Sequence, residues 1–154
     1  MTRCGGQVDY QIPERIRDGY GINESIIQKA KEDGIDTIVT CDNGIAALEQ
    51  IKLAKELGMT VIVTDHHEVV RAEDGSQILP QADAVVNPHR DDCSYPFAGI
   101  CGGVVAYKLV QVLYEQSGVP KQEWLDMLEF AAIATVGDVM KLQDENRSHC
   151  ALGL

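Results

Sequence analysis

Two stretches of the chain, Thr37-Ile38-Val39-Thr40-Cys41 and Val61-Ile62-Val63-Thr64, are continuous in apolar and β-branched residues and then break abruptly into polar ones. A strand open to water on one face alternates, whereas an unbroken run marks a strand covered on both faces, as in a parallel sheet. Between the two runs, Ala47, Leu48, Ile51 and Ala54 fall on one helical stripe, and Gly58 ends it. Strand, helix and strand at this spacing describe a right-handed βαβ unit. The expected fold class is therefore α/β, a parallel, Rossmann-like doubly wound sheet with helices on both faces.

The flanking sequence extends the pattern. Residues 8–12 read as a short strand ending at Pro13, and residues 13–20 as a polar loop. Asn23 is placed to cap a helix over 24–33, which Gly34 terminates. Residues 68–82 are polar and carry a turn and a breaker, and 82–86 form a further short strand closed by Asn87-Pro88. Residues 90–96 are irregular. A long helix then sets Val105, Leu109, Val112 and Leu113 on one face. A last helix sets Trp124, Leu128, Ala131 and Ala132 on another and runs into Val136-Gly137-Asp138-Val139. His149, Cys150 and the tail show no chemistry. The 154 residues match the size of one domain, expected over 1–154.

Composition narrows the function classes. No apolar run approaches the roughly 20 residues needed to span a bilayer. Nor is there the apolar core of a signal peptide behind Met1, so the expected location is the cytoplasm, without a membrane. The five cysteines are odd in number and form no Cys-x-x-Cys pair, which argues against a zinc knuckle or a structural disulfide framework. Cys41, inside an apolar run, reads as a small buried hydrophobe. With 24 acids against 13 bases the net charge is −11, the opposite of the basic patch with which proteins neutralise nucleic-acid phosphates.

Ligands of open α/β sheets bind beyond the carboxyl ends of the strands. One strand here ends in Asp42-Asn43, the other in Asp65-His66-His67-Glu68. If the two strands are neighbours, Asp42 and His66 come close enough to share one cation. A carboxylate with imidazole suits Mn²⁺, Mg²⁺, Zn²⁺ or Fe²⁺ better than Ca²⁺. Asp42 as a helix cap and the histidines as loop residues are the plainer alternatives. Gly102 and Gly103, at a helix start, suit either a backbone approach to phosphate or close helix packing. His89 and Arg90, beyond a strand end, are candidate substrate contacts or part of a solvated loop.

Thr64-Asp65-His66-His67 resembles the signature of the DHH phosphoesterase superfamily. Thr40-Cys41-Asp42-Asn43-Gly44 is similar to its second motif and Val136-Gly137-Asp138-Val139 to its fourth. Within the superfamily, the single-stranded-DNA-specific exonucleases are resembled most fully. That likeness runs through Tyr10-Gln11-Ile12-Pro13-Glu14-Arg15, Gly19-Tyr20-Gly21, Asn87-Pro88-His89-Arg90 and Tyr95-Pro96-Phe97, then Cys101-Gly102-Gly103-Val104-Val105-Ala106 and Glu145-Asn146-Arg147. The resemblance implies that Asp42 bridges two metal ions, Mn²⁺ or Mg²⁺, and that His66 and Asp138 join it on one of them. It implies that His67 faces the substrate phosphate and that Asp65 orients the His pair. It also implies metal-dependent 5′-to-3′ hydrolysis of single-stranded DNA, in repair and recombination.

The family's first motif, Asp-x-Asp-Gly at the end of an earlier strand, has no counterpart before Tyr10. The expectation is a partial DHH domain that retains one of two metal sites and is weakly active or inactive alone. An uncovered sheet edge would then allow self-association. Oligoribonucleotides, cyclic dinucleotides or pyrophosphate are alternative substrates within the superfamily, and a non-catalytic metal-binding or scaffold module is the alternative of another class.

Overall fold

The computed structural model describes residues 1–13 and 21–154. Most of the loop expected over 13–20, with Glu14, Arg15, Gly19 and Tyr20 of the resemblance, lies outside them. The described residues fall into two compact units, Gln11–Ser94 and a helical one made of Met1–Tyr10 and Tyr95–Leu154.

The first unit holds the sheet. Its elements are α1 (Glu24–Glu32), β1 (Thr37–Val39), α2 (Leu48–Glu56), β2 (Thr60–Thr64) and β3 (Ala84–Val86). Asn23 starts α1 as expected, its side-chain oxygen accepting from the Ile26 amide at 3.0 Å. Glu24 in the first turn and Lys29 and Lys31 in the last oppose the helix dipole. The strand order is β1-β2-β3 with both pairings parallel, so β2 is central. Thr37 pairs with Thr60 and Ile62 with Ala84. The core behind the sheet joins Val61 and Val63 of β2 to Ile27 of α1, Ile51 and Ala54 of α2, and Met59, all fully buried. The α/β class with a parallel sheet is thus as the apolar runs predict.

The second unit contains α3 (Gly102–Gln116), α4 (Lys121–Leu125), α5 (Leu128–Gly137) and α6 (Asp144–Gly153). Its separate core gathers Ile100, Cys101, Val104, Tyr107, Tyr114, Trp124 and Ala131. Two close approaches set its helix spacing. A Cβ at Gly103 of α3 would lie 2.4 Å from the Ala134 Cβ of α5, and one at Gly153 of α6 would lie 2.8 Å from the Ala132 Cβ. Close packing of α3 on α5 thus requires a glycine at position 103.

Several local expectations are corrected. Residues 8–12 form no strand, and Val8, Tyr10 and Ile12 are exposed, because three alternating apolar positions do not make a strand without a neighbour to pair with. Cys41 is exposed rather than buried, since β1 stops at Val39 and the chain is already turning. The α3 stripe is partly rotated: Val105 is buried as expected, but Val112 is 48% exposed, and the buried face also runs through Val104, Tyr107 and Tyr114. The tyrosines contribute the apolar body of that face, which a count of aliphatic residues misses. The expected last helix is two, broken at Asp126 and Met127, where bonds such as Met127 N to Trp124 O tighten the chain. The tail is helical as α6, and its Asn146, fully buried, donates to the carbonyls of Gly99 at 2.7 Å and Lys141 at 3.1 Å. No disulfide joins the five cysteines. No helix of the described residues is long and apolar enough to cross a membrane.

The Gly103–Ala134 contact makes a measurable prediction. Gly103→Ala drives one rigid methyl into another, so it should lower stability by about 1–3 kcal/mol even though alanine favours helices. The urea midpoint should fall with an unchanged slope, and an unchanged or raised midpoint would contradict the packing.

Candidate metal centre

The site grows out of the sheet's hydrogen-bond ladder. Past the end of β1 the ladder continues, with Thr40 N donating to Ile62 O at 2.9 Å and Asp42 N to Thr64 O at 3.0 Å. On the other side of β2, Asp65 N donates to Val86 O at 3.0 Å. Main-chain bonds of the sheet therefore hold Asp42 and Asp65 directly. Two buried threonines reinforce the step between them. The Thr64 hydroxyl donates to Thr40 O at 2.6 Å, and Thr64 N donates to the Thr40 hydroxyl at 3.2 Å.

The turn after β1 is sharp. Asp42 takes φ +62°, a left-handed conformation that aspartate tolerates better than most residues. Gly44 takes φ +108°, and a Cβ there would meet the Thr40 hydroxyl at 2.9 Å and Val63 at 3.2 Å. Only glycine fits both the dihedral and the space. Asn43 steadies the turn by donating to Cys41 O at 2.8 Å.

Asp65 organises the turn after β2. It is 1% exposed, and its Oδ1 accepts from the His66 amide at 2.7 Å and the His67 amide at 3.2 Å. His67 Nδ1 lies 2.7 Å from the same oxygen. Oδ2 accepts from the Ile45 amide at 3.0 Å, reaching back to the turn that carries Asp42. Burial pushes the Asp65 carboxyl up, but the bonds from the Ile45 amide, the His67 ring and the two His amides outweigh it. Its pKa therefore lies below the ordinary carboxylate value. An ionised Asp65 accepts from a proton on His67 Nδ1, which leaves Nε2 as the ring nitrogen turned away from this carboxylate.

The outcome is one group of ligand-type side chains among the described residues, Asp42, His66 and His67, with a donor atom of each within 4.8 Å of the others. His66 Nε2 lies 3.1 Å from Asp42 Oδ1, and the two imidazole rings are 4.6 Å apart between centroids. This spacing is near that of ligands around a single cation at bond lengths of about 2.0–2.2 Å. Two imidazoles and a carboxylate form a donor set for Mn²⁺, Fe²⁺ or Zn²⁺ rather than Ca²⁺. The residues present thus fit a divalent ion.

Asp138 caps the end of α5 in the helical unit, and the next residue, Val139, takes φ +55°, a costly conformation for a β-branched side chain. Gly102 is buried as the first residue of α3 in that unit. His89 Nδ1 lies 3.4 Å from Glu68, on the loop after the His pair. Arg90 is bonded to the Asp92 carboxylate and the Val85 carbonyl. Sequence reasoning did not single out Thr40, Thr64, Gly44 or the Ile45 amide. The unbroken Thr-ended runs were the available signal for the threonines, but nothing in the sequence marks a backbone amide as a brace.

Replacing Asp65 by asparagine turns one acceptor oxygen into a donor that faces amide hydrogens. Asp65→Asn should cost about 2–4 kcal/mol in urea unfolding. A loss below about 0.5 kcal/mol would show that this carboxylate does not hold the two turns together.

Residues 2–135 match the model of the DHH family, N-terminal domain. The RecJ single-stranded-DNA-specific exonuclease of Bacillus subtilis (strain 168) is 42% identical over 154 residues, a match that takes in 100% of this chain and 18% of that protein. The RecJ of Escherichia coli (strain K12) is 34% identical over 149 residues, covering 91% of this chain and 25% of that one. The chain therefore spans a quarter or less of the length of these relatives. A crystal structure of exonuclease RecJ bound to manganese matches 99% of this chain and 36% of its own, with a TM-score of 0.81 at 29% identity. A second, of RecJ in complex with Mn²⁺ from Thermus thermophilus, matches 82% of this chain and 18% of its own, with a TM-score of 0.63 at 29% identity. Given the family match over most of its length, the chain belongs to the DHH family.

Proposed function

We propose that this chain supplies the Asp42–His66–His67 part of a divalent-metal centre that cleaves phosphodiesters of single-stranded DNA, as in the RecJ exonucleases. The observation that carries the reading is the convergence of one carboxylate and two imidazoles at the carboxyl ends of adjacent parallel strands. The names of the relatives support single-stranded DNA as substrate, and the manganese in the two RecJ crystal structures supports Mn²⁺ as the ion.

In this reading Asp42 and His66 hold the ion, and His67 meets the substrate phosphate. A bound divalent ion supplies Lewis acidity at a phosphoryl oxygen and makes its own water a nucleophile near neutral pH. The chain's residues provide the rest. Asp65 fixes the angle and tautomer of His67, so that the imidazole reaches a phosphate oxygen without first reorganising. The ladder bonds at Asp42 and Asp65 keep the carboxylate and the His pair in register. The net charge of −11 opposes binding of a polyanion, so contact with DNA depends on the cation and on the local geometry rather than on long-range attraction.

Calorimetric titration with Mn²⁺ tests the proposal. Wild-type protein should bind near one equivalent, and Asp42→Ala and His66→Ala should each weaken binding by about 10-fold or more. Weak hydrolysis of 5′-labelled single-stranded DNA should fall to background in the same variants, with duplex DNA left intact. A wild-type chain that takes up no Mn²⁺ would refute the metal centre.

A further inference from the structure

We infer that Asn87, to which the sequence motifs give no role, is a positioning residue for the His pair. The inference rests on the reading of Asp42, His66 and His67 as a metal and phosphate site. Asn87 follows β3 directly and is 3% exposed. Its Nδ2 donates to the His67 carbonyl at 2.9 Å, and its Oδ1 accepts from the His89 amide at 2.8 Å.

With its neighbour, Asn87 makes a two-point clamp. The Val86 carbonyl takes the Asp65 amide at 3.0 Å, and the Asn87 side chain takes the His67 carbonyl. The end of β3 thus grips the Asp65-His66-His67 segment at both ends, with His66 between. The grip is anchored on its far side as well. Gln77 donates to the His89 carbonyl at 2.7 Å and accepts from the Asp91 amide at 2.8 Å, which steadies the chain that leaves Asn87. Asp65 fixes the His67 ring from within the turn, and Asn87 fixes the backbone that carries it.

The choice of amide is informative. The bond from the His89 amide is an Asx-turn, which aspartate would make equally well before a proline. Only the bond to the His67 carbonyl needs a donor. In a chain with 24 acidic residues, a buried amide at this position keeps that donor and avoids a further negative charge beside Asp65.

Two variants isolate the role. Asn87→Asp keeps the size and the acceptor but loses the donor, and Asn87→Ser stays neutral but is too short to reach His67. In metal-free protein at about pH 8, above the ordinary histidine pKa of about 6.5, the ¹⁵N signals of the wild-type His67 ring should report a single Nδ1–H tautomer. In both variants they should shift toward the averaged values of a free neutral imidazole while circular dichroism stays that of the folded chain. Mn²⁺ affinity of Asn87→Ser should fall about 10-fold. Unchanged His67 signals in both variants would overturn the inference, as would loss of folded structure in both, which would give Asn87 a role in fold stability instead. Shifted His67 signals in the variants, together with wild-type His66 and His67 resonances that Mn²⁺ does not broaden, would refute the metal reading and leave the positioning role standing.

Discussion

A buried carboxylate in an apolar setting is costly unless every oxygen is engaged, and Asp65 is engaged from two directions. One oxygen gathers the His66 and His67 amides and the His67 ring, and the other takes the Ile45 amide. Because Ile45 follows the turn that carries Asp42, and His66 follows Asp65 itself, the same side chain joins the two strand ends whose residues face each other at 3.1 Å. The candidate ligands do not form this connection. Two imidazoles and a half-exposed carboxylate are not by themselves enough to fix one another in place. They stay together because a neighbouring residue, which need not touch the ion, is bound on all sides.

The division between what the sequence shows and what it hides reflects the range of the forces involved. The apolar runs at Val39 and Val61–Val63 mark the sheet because burial is read directly from residue type. Asn23, Gly34 and Gly58 mark helix ends because capping is local. Asp42, His66 and His67 were legible because ligand-type residues at strand ends have a fixed place in a parallel sheet. The bonds of Asn87 to the His67 carbonyl and of Ile45 to Asp65 connect residues far apart in sequence through main-chain atoms, and no side-chain pattern encodes them. The rotated face of α3 had a related cause, since Tyr107 and Tyr114 count as polar in a pattern and as core in the fold. Cys41 misled because its neighbours, and not its own position past the strand end, suggested burial.

The helical unit shows how a small residue carries information that its chemistry alone does not. In the sequence, Gly103 suits phosphate binding and close packing equally, and Gly153 attracts no attention. In the fold they let α3 and α6 press against Ala134 and Ala132 of the same helix. That helix then ends at Asp138, so the place of this acidic side chain depends on two residues with no side chain.

The ladder bonds of Asp42 and Asp65 also set a timescale. Ligands carried on loops come and go with loop motion, over nanoseconds to microseconds, whereas amides inside a sheet are released only when the sheet itself opens. Asp42 N and Asp65 N belong to the second class, each paired with a strand carbonyl on one or the other edge of β2. Hydrogen exchange at these two amides should therefore be as slow as in the centre of β2. An ion seated there would meet a site with the lifetime of the folded sheet, already assembled before the ion arrives.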